Sequence, residues 1–214
     1  MKLKRIPLGL WLFPKDNPLK QITRDEEIWA NKLSKKRKKE FQHSRGYTRQ
    51  ALSSVFNVEP LEIPLHAPPG LPPSLPEAYG HVTISHCEDA LIVGWSLRKI
   101  GIDIERKDRS ISEEKLIQRI FTRDEKNKLL KTGMNQEQVR KIVLSHWTIK
   151  EAAIKLQKGS LFKDINKWQY INHSLIHSTS LKRVEVNSFI YDSWLIAVAY
   201  EKKLNKINNI ICIE

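Results

Sequence analysis

Gly101-Ile102-Asp103-Ile104-Glu105 is the stretch on which the reading of this chain turns. Apolar and acidic residues alternate in it, and the run Leu91-Ile92-Val93-Gly94-Trp95 lies just upstream, so the region reads as strand ending at a site. Successive side chains of a strand point to opposite faces. Asp103 and Glu105 therefore project from one side, while Ile102 and Ile104 pack into the core. Two carboxylates within a few ångströms repel, and such a pair normally persists with a cation between them. Hard oxygen ligands on a strand suggest Mg²⁺ bound together with a phosphate-bearing substrate. The plainer alternative is a strand end carrying two solvated acids. A second stretch, Trp147-Thr148-Ile149-Lys150-Glu151-Ala152-Ala153-Ile154-Lys155, weighs against it.

At 214 residues the chain can form one sizeable domain or two small lobes, and a content of 40% hydrophobic and 29% charged residues is that of a globular protein. No apolar run approaches the roughly 20 residues of a membrane span. The basic start, Met1 to Arg5, is interrupted by Pro7, Gly9 and Pro14 and shows no small-residue cleavage site, so no secretory leader is expected. Cys87 and Cys212 are too few and too far apart for a disulfide framework or zinc spacing, which fits a reducing cytoplasm. The net charge of +13 calls for an acidic partner: nucleic acid, an anionic membrane surface, an acidic protein or a phosphorylated small molecule.

Residues 8–13 read as a buried strand closed by Pro14, and Thr23 with Glu26 three residues later forms a capping box at a helix start. Lys35-Lys36-Arg37-Lys38-Lys39 is either a solvated helix face or a phosphate or nucleic-acid patch. Arg45 and Arg49 share a helix face at i,i+4 spacing. Seven prolines between Glu59 and Pro76 exclude a regular helix or a central strand there and predict an extended surface connection. His81 to Cys87 reads as a short strand with Ser85 and His86 at its exit; without a Gly-x-Ser-x-Gly elbow, a serine-hydrolase reading is set aside. Helices are expected from Ser112, from Thr122 (capped by Glu125) and over residues 136–157, where Glu151 and Lys155 lie four apart. Strands are expected near 165–171, 184–186 and 194–200, with His173 and His177 in loop and residues 207–214 as a terminal strand or loose end.

Four blocks in order, Ser85-His86-Cys87, Gly101-Ile102-Asp103-Ile104-Glu105, Phe121-Thr122-Arg123-Asp124-Glu125 and Trp147 through Lys155, resemble the motifs of the 4′-phosphopantetheinyl transferase superfamily, in its larger, surfactin-synthetase type. Coverage runs from about residue 30 to 170. Two departures stand out: Gly70-Leu71-Pro72 lacks the lysine of the family's Gly-Lys-Pro, and Cys87 replaces the serine of Ser-His-Ser.

The resemblance implies an α+β protein made of a pseudo-twofold pair of similar α/β lobes, 1–100 and 101–214, with coenzyme A in the cleft between them, and a monomer, since one chain supplies both halves. It implies transfer of the phosphopantetheine arm of coenzyme A to a serine of an apo carrier protein, releasing 3′,5′-ADP. Asp103, Glu105 and Glu151 would hold Mg²⁺ (or Mn²⁺), and Glu151 or a metal-bound water would be the general base. Lys150 and Lys155 would offset phosphate charge. Ser85 and His86 would contact the coenzyme, and Arg45 with Arg37 from the 35–39 run would hold its 3′-phosphate. The basic surface would then steer acidic carriers of fatty-acid, polyketide or peptide synthesis, with no role for nucleic acid or membrane. Two other readings remain: a basic nucleic-acid-binding module, for which no reader motif is found, and a coenzyme A-binding protein without turnover, motivated by Leu71.

Overall fold

Residues 8–159, 165–201 and 210–212 are described by a computed structural model. They divide between Lys99 and Ile100 into two units, the strand Ile210–Cys212 joining the first. The first unit is built on β1 (Gly9–Pro14), whose apolar side chains are buried on both faces because it is an inner strand. The order is β2 (His81–His86), β3 (Ala90–Ser96), β1 and β9 (Ile210–Cys212), with β1 antiparallel to β3 and parallel to β9. Helix α1 (Arg24–Ala30) opens with the Thr23–Glu26 capping box. Helix α2 (Lys35–Phe56) lays Tyr47, Ala51, Leu52 and Phe56 against Trp11, Phe13, Val93 and Trp95 of the sheet. The proline-rich segment contains one short 3-10 turn, Pro60–Glu62, and an isolated bridge between His66 and Ser74, yet it adds Ile63, Leu65 and Ala67 to the same core. A buried Arg49–Glu26 pair at 2.9 Å, with Arg49 Nη1 also donating to the Ile63 carbonyl at 2.8 Å, ties α1, α2 and that segment together.

The second unit is an antiparallel five-stranded sheet in the order β4 (Ile100–Arg106), β8 (Trp194–Tyr200), β7 (Arg183–Tyr191), β6 (Ser174–His177) and β5 (Trp168–Ile171). Helices α3 (Glu113–Ile120), α4 (Arg123–Leu130) and α5 (Gln136–Gln157) accompany it. Capping boxes at Thr122–Glu125 and Asn135–Gln138 start α4 and α5, and Lys158 in the left-handed region (φ 50°) ends α5. The stretches 91–95 and 101–105 thus belong to separate strands in different sheets. The region expected as loop around His173 and His177 is instead a tight β5–β6 hairpin. Asn172 (φ 46°) and His173 (φ 61°) supply the paired positive φ that such a turn requires. The C-terminal strand pairs with β1 of the first unit; residues 207–209, 213 and 214 of the expected tail lie outside the described residues. Among the described residues the chain is a mixed α/β protein of two sheets and five helices, and no helix is long and apolar enough to cross a membrane.

Candidate active site

Gly101, Asp103 and Glu105 share one face of β4, and their ladder partners on β8 are Ala199, Ala197 and Leu195. The small residues let α5 lie close on this face. A Cβ on Gly101 would run into the Ala152 carbonyl oxygen and the Leu156 backbone nitrogen, so the motif's glycine is the point where strand and helix backbones touch. From that contact, a two-residue step along a strand (about 6.6 Å) matches a four-residue step along a helix (about 6 Å). Going up the strand from 101 to 103 to 105, the facing positions go down the helix. Ala152 and Leu156 meet Gly101. Lys155 Nζ donates to Asp103 Oδ1 at 2.7 Å and lies 3.9 Å from Glu151 Oε2. Trp147 Nε1 donates to Glu105 Oε1 at 2.8 Å. The sheet period of two and the helix period near four therefore bring Asp103, Glu105, Glu151 and Lys155 together.

The acids are mostly buried, and their ionisation reflects it. Burial, then the neighbouring Asp103 and Glu105 carboxylates, push Glu151 up to about 8 against the opposing pull of Lys155 and Arg109. Glu105 is raised for the same reasons, burial first and Asp103 second, while Arg109 and the Trp147 indole N–H hold it back. The Arg109 guanidinium is ion-paired with Glu105 Oε1. Three carboxylates without sulfur or imidazole are the donor chemistry of Mg²⁺ or Mn²⁺. As placed, though, no group of three His, Cys, Asp or Glu among the described residues is gathered tightly enough to hold an ion. Cationic side chains of the protein sit on Asp103 and Glu105 instead. The expected metal site is present as a donor set, not as a formed cage.

Lys150, expected at the phosphates, is placed elsewhere. It has no exposed side-chain surface, and its Nζ donates to the Ile120 carbonyl at 2.6 Å and to Glu125 Oε2 at 2.7 Å. Adjacent helix positions point about 100° apart, so Lys150 turns into the core while Glu151 and Lys155 share the strand-facing side. Glu125, the acid of the Phe-Thr-x-x-Glu block, also accepts from the backbone N–H groups of Thr122 (2.7 Å) and Tyr170 (2.9 Å). This pair fastens α4, α5 and β5 to one another.

In the first unit a cavity of about 800 Å³ is walled by Lys15, Lys35, Lys36, Lys38, Lys39 and His86, with Gln42, His43, Ser44 and Leu91 and two acids, Glu40 and Glu88. Its cationic lining suits phosphate, and its volume suits a nucleotide-sized ligand. Exposed His86 lines it; Ser85, one residue earlier on β2, is buried in the sheet. Arg37 stays on the exposed surface outside this lining. Arg45 is buried behind it, donating to the Ala67 carbonyl at 2.7 Å and Ser44 Oγ at 3.0 Å, with burial lowering its pKa to about 10. The cavity wall holds Lys15 and His43, which the sequence did not single out, and the neighbours of Arg37 rather than Arg37 itself. His43 donates to the Pro14 carbonyl at 3.1 Å, and burial, ahead of nearby Lys15 and Lys39, lowers its pKa. Cys87 is a packing residue: its thiol donates to Asp89 Oδ1 at 3.2 Å, and burial pushes it up to about 11.

Clustered carboxylates with an adjacent lysine are donor chemistry for a hard cation, and a lysine-walled cavity is suited to phosphate. The family model described as 4′-phosphopantetheinyl transferase superfamily matches residues 99–199, the span that holds β4, α5 and β8. The chain is also similar to the 4′-phosphopantetheinyl transferase HetI of Nostoc sp. (strain PCC 7120 / SAG 25.82 / UTEX 2576), at 30% identity over 167 residues covering 72% of this chain and 70% of that protein. The chain belongs to the 4′-phosphopantetheinyl transferase superfamily, whose members in general use coenzyme A and a divalent metal to act on carrier proteins.

Proposed function

We propose that this protein transfers the 4′-phosphopantetheine group of coenzyme A to a serine hydroxyl of an apo acyl or peptidyl carrier protein, in a Mg²⁺-dependent reaction that releases 3′,5′-ADP. The observation that carries this reading is the β4–α5 register, which gathers Asp103, Glu105, Glu151 and Lys155. The serine oxygen bonds to the phosphorus that bears the pantetheine arm. The bond from that phosphorus to the bridging oxygen breaks, and the nucleoside diphosphate leaves. Glu151 is the group on this chain suited to take the serine proton, because its surroundings already raise its proton affinity. Lys155 offsets charge on the phosphate oxygens. Asp103, Glu105 and Glu151 would hold the cation, which supplies neutralisation of the pyrophosphate. Lys35, Lys36, Lys38 and Lys39, with His86, hold the phosphates at the adenosine end of coenzyme A. The net charge of +13 draws acidic carriers, whether of fatty-acid, polyketide or peptide synthesis. The buried free thiol of Cys87 is in keeping with a reducing cytoplasm.

The test is to incubate the protein with apo carrier proteins, coenzyme A and Mg²⁺ and to weigh each carrier by intact-mass spectrometry. A gain of one phosphopantetheine, lost with EDTA and lost in Glu151→Gln, is expected. Carriers of both the fatty-acid and the synthetase kind left unmodified, with coenzyme A still bound, would refute turnover and leave a coenzyme A-binding protein.

A further inference from the structure

Within the carboxylate cluster, Arg109 has a place that the transfer reaction does not require. It lies four residues beyond Glu105, past the end of β4, and its guanidinium pairs with Glu105 Oε1. Its delivery there is built into the fold. Arg140 of α5 reaches across to the turn, with Nη1 and Nη2 donating to the Lys107 carbonyl at 3.0 and 2.9 Å and Nη2 to the Arg109 carbonyl at 3.1 Å. Arg106 and Asp108 pair within the same turn at 2.6 Å. The guanidinium also stands 5.9 Å from the centre of the Trp147 ring. Trp147 itself donates to the same Oε1. One carboxylate oxygen thus carries an indole N–H and a guanidinium, both brought to it by well-anchored elements.

Building on the metal-site reading above, we propose that Arg109 is a resident counter-ion that occupies Glu105 in the cation-free protein and sets the affinity of the carboxylate cluster for divalent cations. A carboxylate oxygen can keep the neutral indole N–H and accept a metal ion, but a guanidinium and a dication cannot share it without repulsion. Arg109 therefore leaves Glu105 when a divalent ion is taken up. Its side chain is 43% exposed and has water to swing into, whereas Trp147 stays as the fixed donor that aims Glu105. The exchange keeps the buried Glu105 carboxylate compensated when the site is empty, and it makes cation uptake a competition that salt and Arg109 can tune.

The test measures Mn²⁺ binding by electron paramagnetic resonance of the free ion, using the full chain and its R109Q and R109K variants with coenzyme A present. R109Q is expected to bind Mn²⁺ roughly fivefold more tightly, the upper range for a half-exposed ion pair, with the gap closing as salt rises. R109K keeps the charge and is expected within about twofold of the parent. In the parent chain, the Trp147 indole N–H resonance, assigned by its loss in W147F, should move on Mg²⁺ titration because its acceptor oxygen changes partner. Unchanged or weaker Mn²⁺ binding by R109Q, or an indole signal that stays still while Mn²⁺ binds, overturns the role of Arg109 and leaves the metal site standing. Absence of any Mn²⁺ binding to the parent chain overturns the metal-site reading and this proposal with it.

Discussion

Lys150→Met removes an ammonium that has no exposed surface and substitutes a side chain of similar length. What stays behind is Glu125, with 4% of its side chain exposed, still accepting from the Thr122 and Tyr170 N–H groups. His146 Nδ1 lies 3.5 Å from Oε1, long for a hydrogen bond but near enough to act on the charge. Burial alone would raise this carboxyl, yet His146, Lys150 and the Tyr170 N–H together hold it down at about 2. The fall from 4.5 to about 2 corresponds to about 3 kcal/mol at ~1.4 kcal/mol per pH unit. That figure belongs to all of these groups together; for Lys150 alone, removing one partner of a buried ion pair destabilises a fold by about 3–5 kcal/mol. Lys150→Met should therefore lose about 3 kcal/mol at pH 7, read from the urea midpoint with an unchanged slope. Because the folded pKa is depressed, the stabilisation is complete above 4.5 and drains away as pH falls from there toward about 2. In the variant the orphaned Glu125 takes up a proton at higher pH, so the gap to the parent chain narrows on acidification. Adding Glu125→Gln should recover at least half of the loss, and below its melting temperature Lys150→Met should keep its KM for coenzyme A. A loss under about 1 kcal/mol together with a raised KM would return Lys150 to the phosphates and refute the strut.

Gly101→Ala forces a methyl group into the backbone of α5 and should cost more than about 3 kcal/mol or prevent folding; a melting temperature within about 2 °C of the parent would contradict the β4–α5 contact. Burial and its acidic neighbours hold Glu151 up to about 8, so it keeps its proton at neutral pH in the cation-free protein. At low Mg²⁺, kcat/KM should fall about tenfold per pH unit below that value, and saturating Mg²⁺ should move the inflection to lower pH. A profile flat from about pH 6.5 to 8.5 would disprove the assignment. The same raised pKa favours the fold at low pH and disfavours it as pH rises from 4.5 toward about 8, so Glu151→Gln should stabilise the metal-free protein in alkali. A Lys36→Glu, Lys39→Glu double variant should raise the KM for coenzyme A on the order of tenfold, and that for the analogue without the 3′-phosphate far less. Equal losses for both substrates would place the cavity away from that phosphate.

What the sequence made legible follows from how local each signal is. Alternation exposed Asp103 and Glu105, capping boxes placed α1 and α4, and the i,i+4 step paired Glu151 with Lys155. All of these depend on residues within a few positions of one another. The function of Gly101 was not legible, because the backbone that excludes a side chain there comes from α5, some fifty residues on. The burial of Lys150 against Glu125 was not legible for a geometric reason: a motif read as a string treats neighbours as sharing a destination, whereas a helix turns them apart. Arg109 offered no pattern at all, since its reach depends on a turn fixed by Arg140. Strand β6 is four residues of Ser-Leu-Ile-His, too short for alternation to outweigh a polar neighbourhood, and its turn uses non-glycine residues at positive φ.

The second unit also shows how one fold assigns opposite tasks to two buried acids. Glu125 and Glu151 are both removed from water, and for both burial is the largest influence and raises the pKa. Around Glu125 the other groups are donors: an ammonium at 2.7 Å and two backbone N–H groups within 2.9 Å. They reverse the effect of burial and make the carboxylate a permanent anion, useful for holding helices to a sheet. Around Glu151 the largest influence after burial is another carboxylate, Asp103, and its lysine stands 3.9 Å away, already donating to Asp103. Lys155 and Arg109 pull its proton affinity down without reversing the effect of burial, which is the condition for a group that must exchange a proton or a cation at neutral pH. The distinction does not come from residue type or from depth of burial. It comes from whether the partners of the acid are donors or rivals, and on this chain that is decided by which face of α5 or α4 each glutamate occupies.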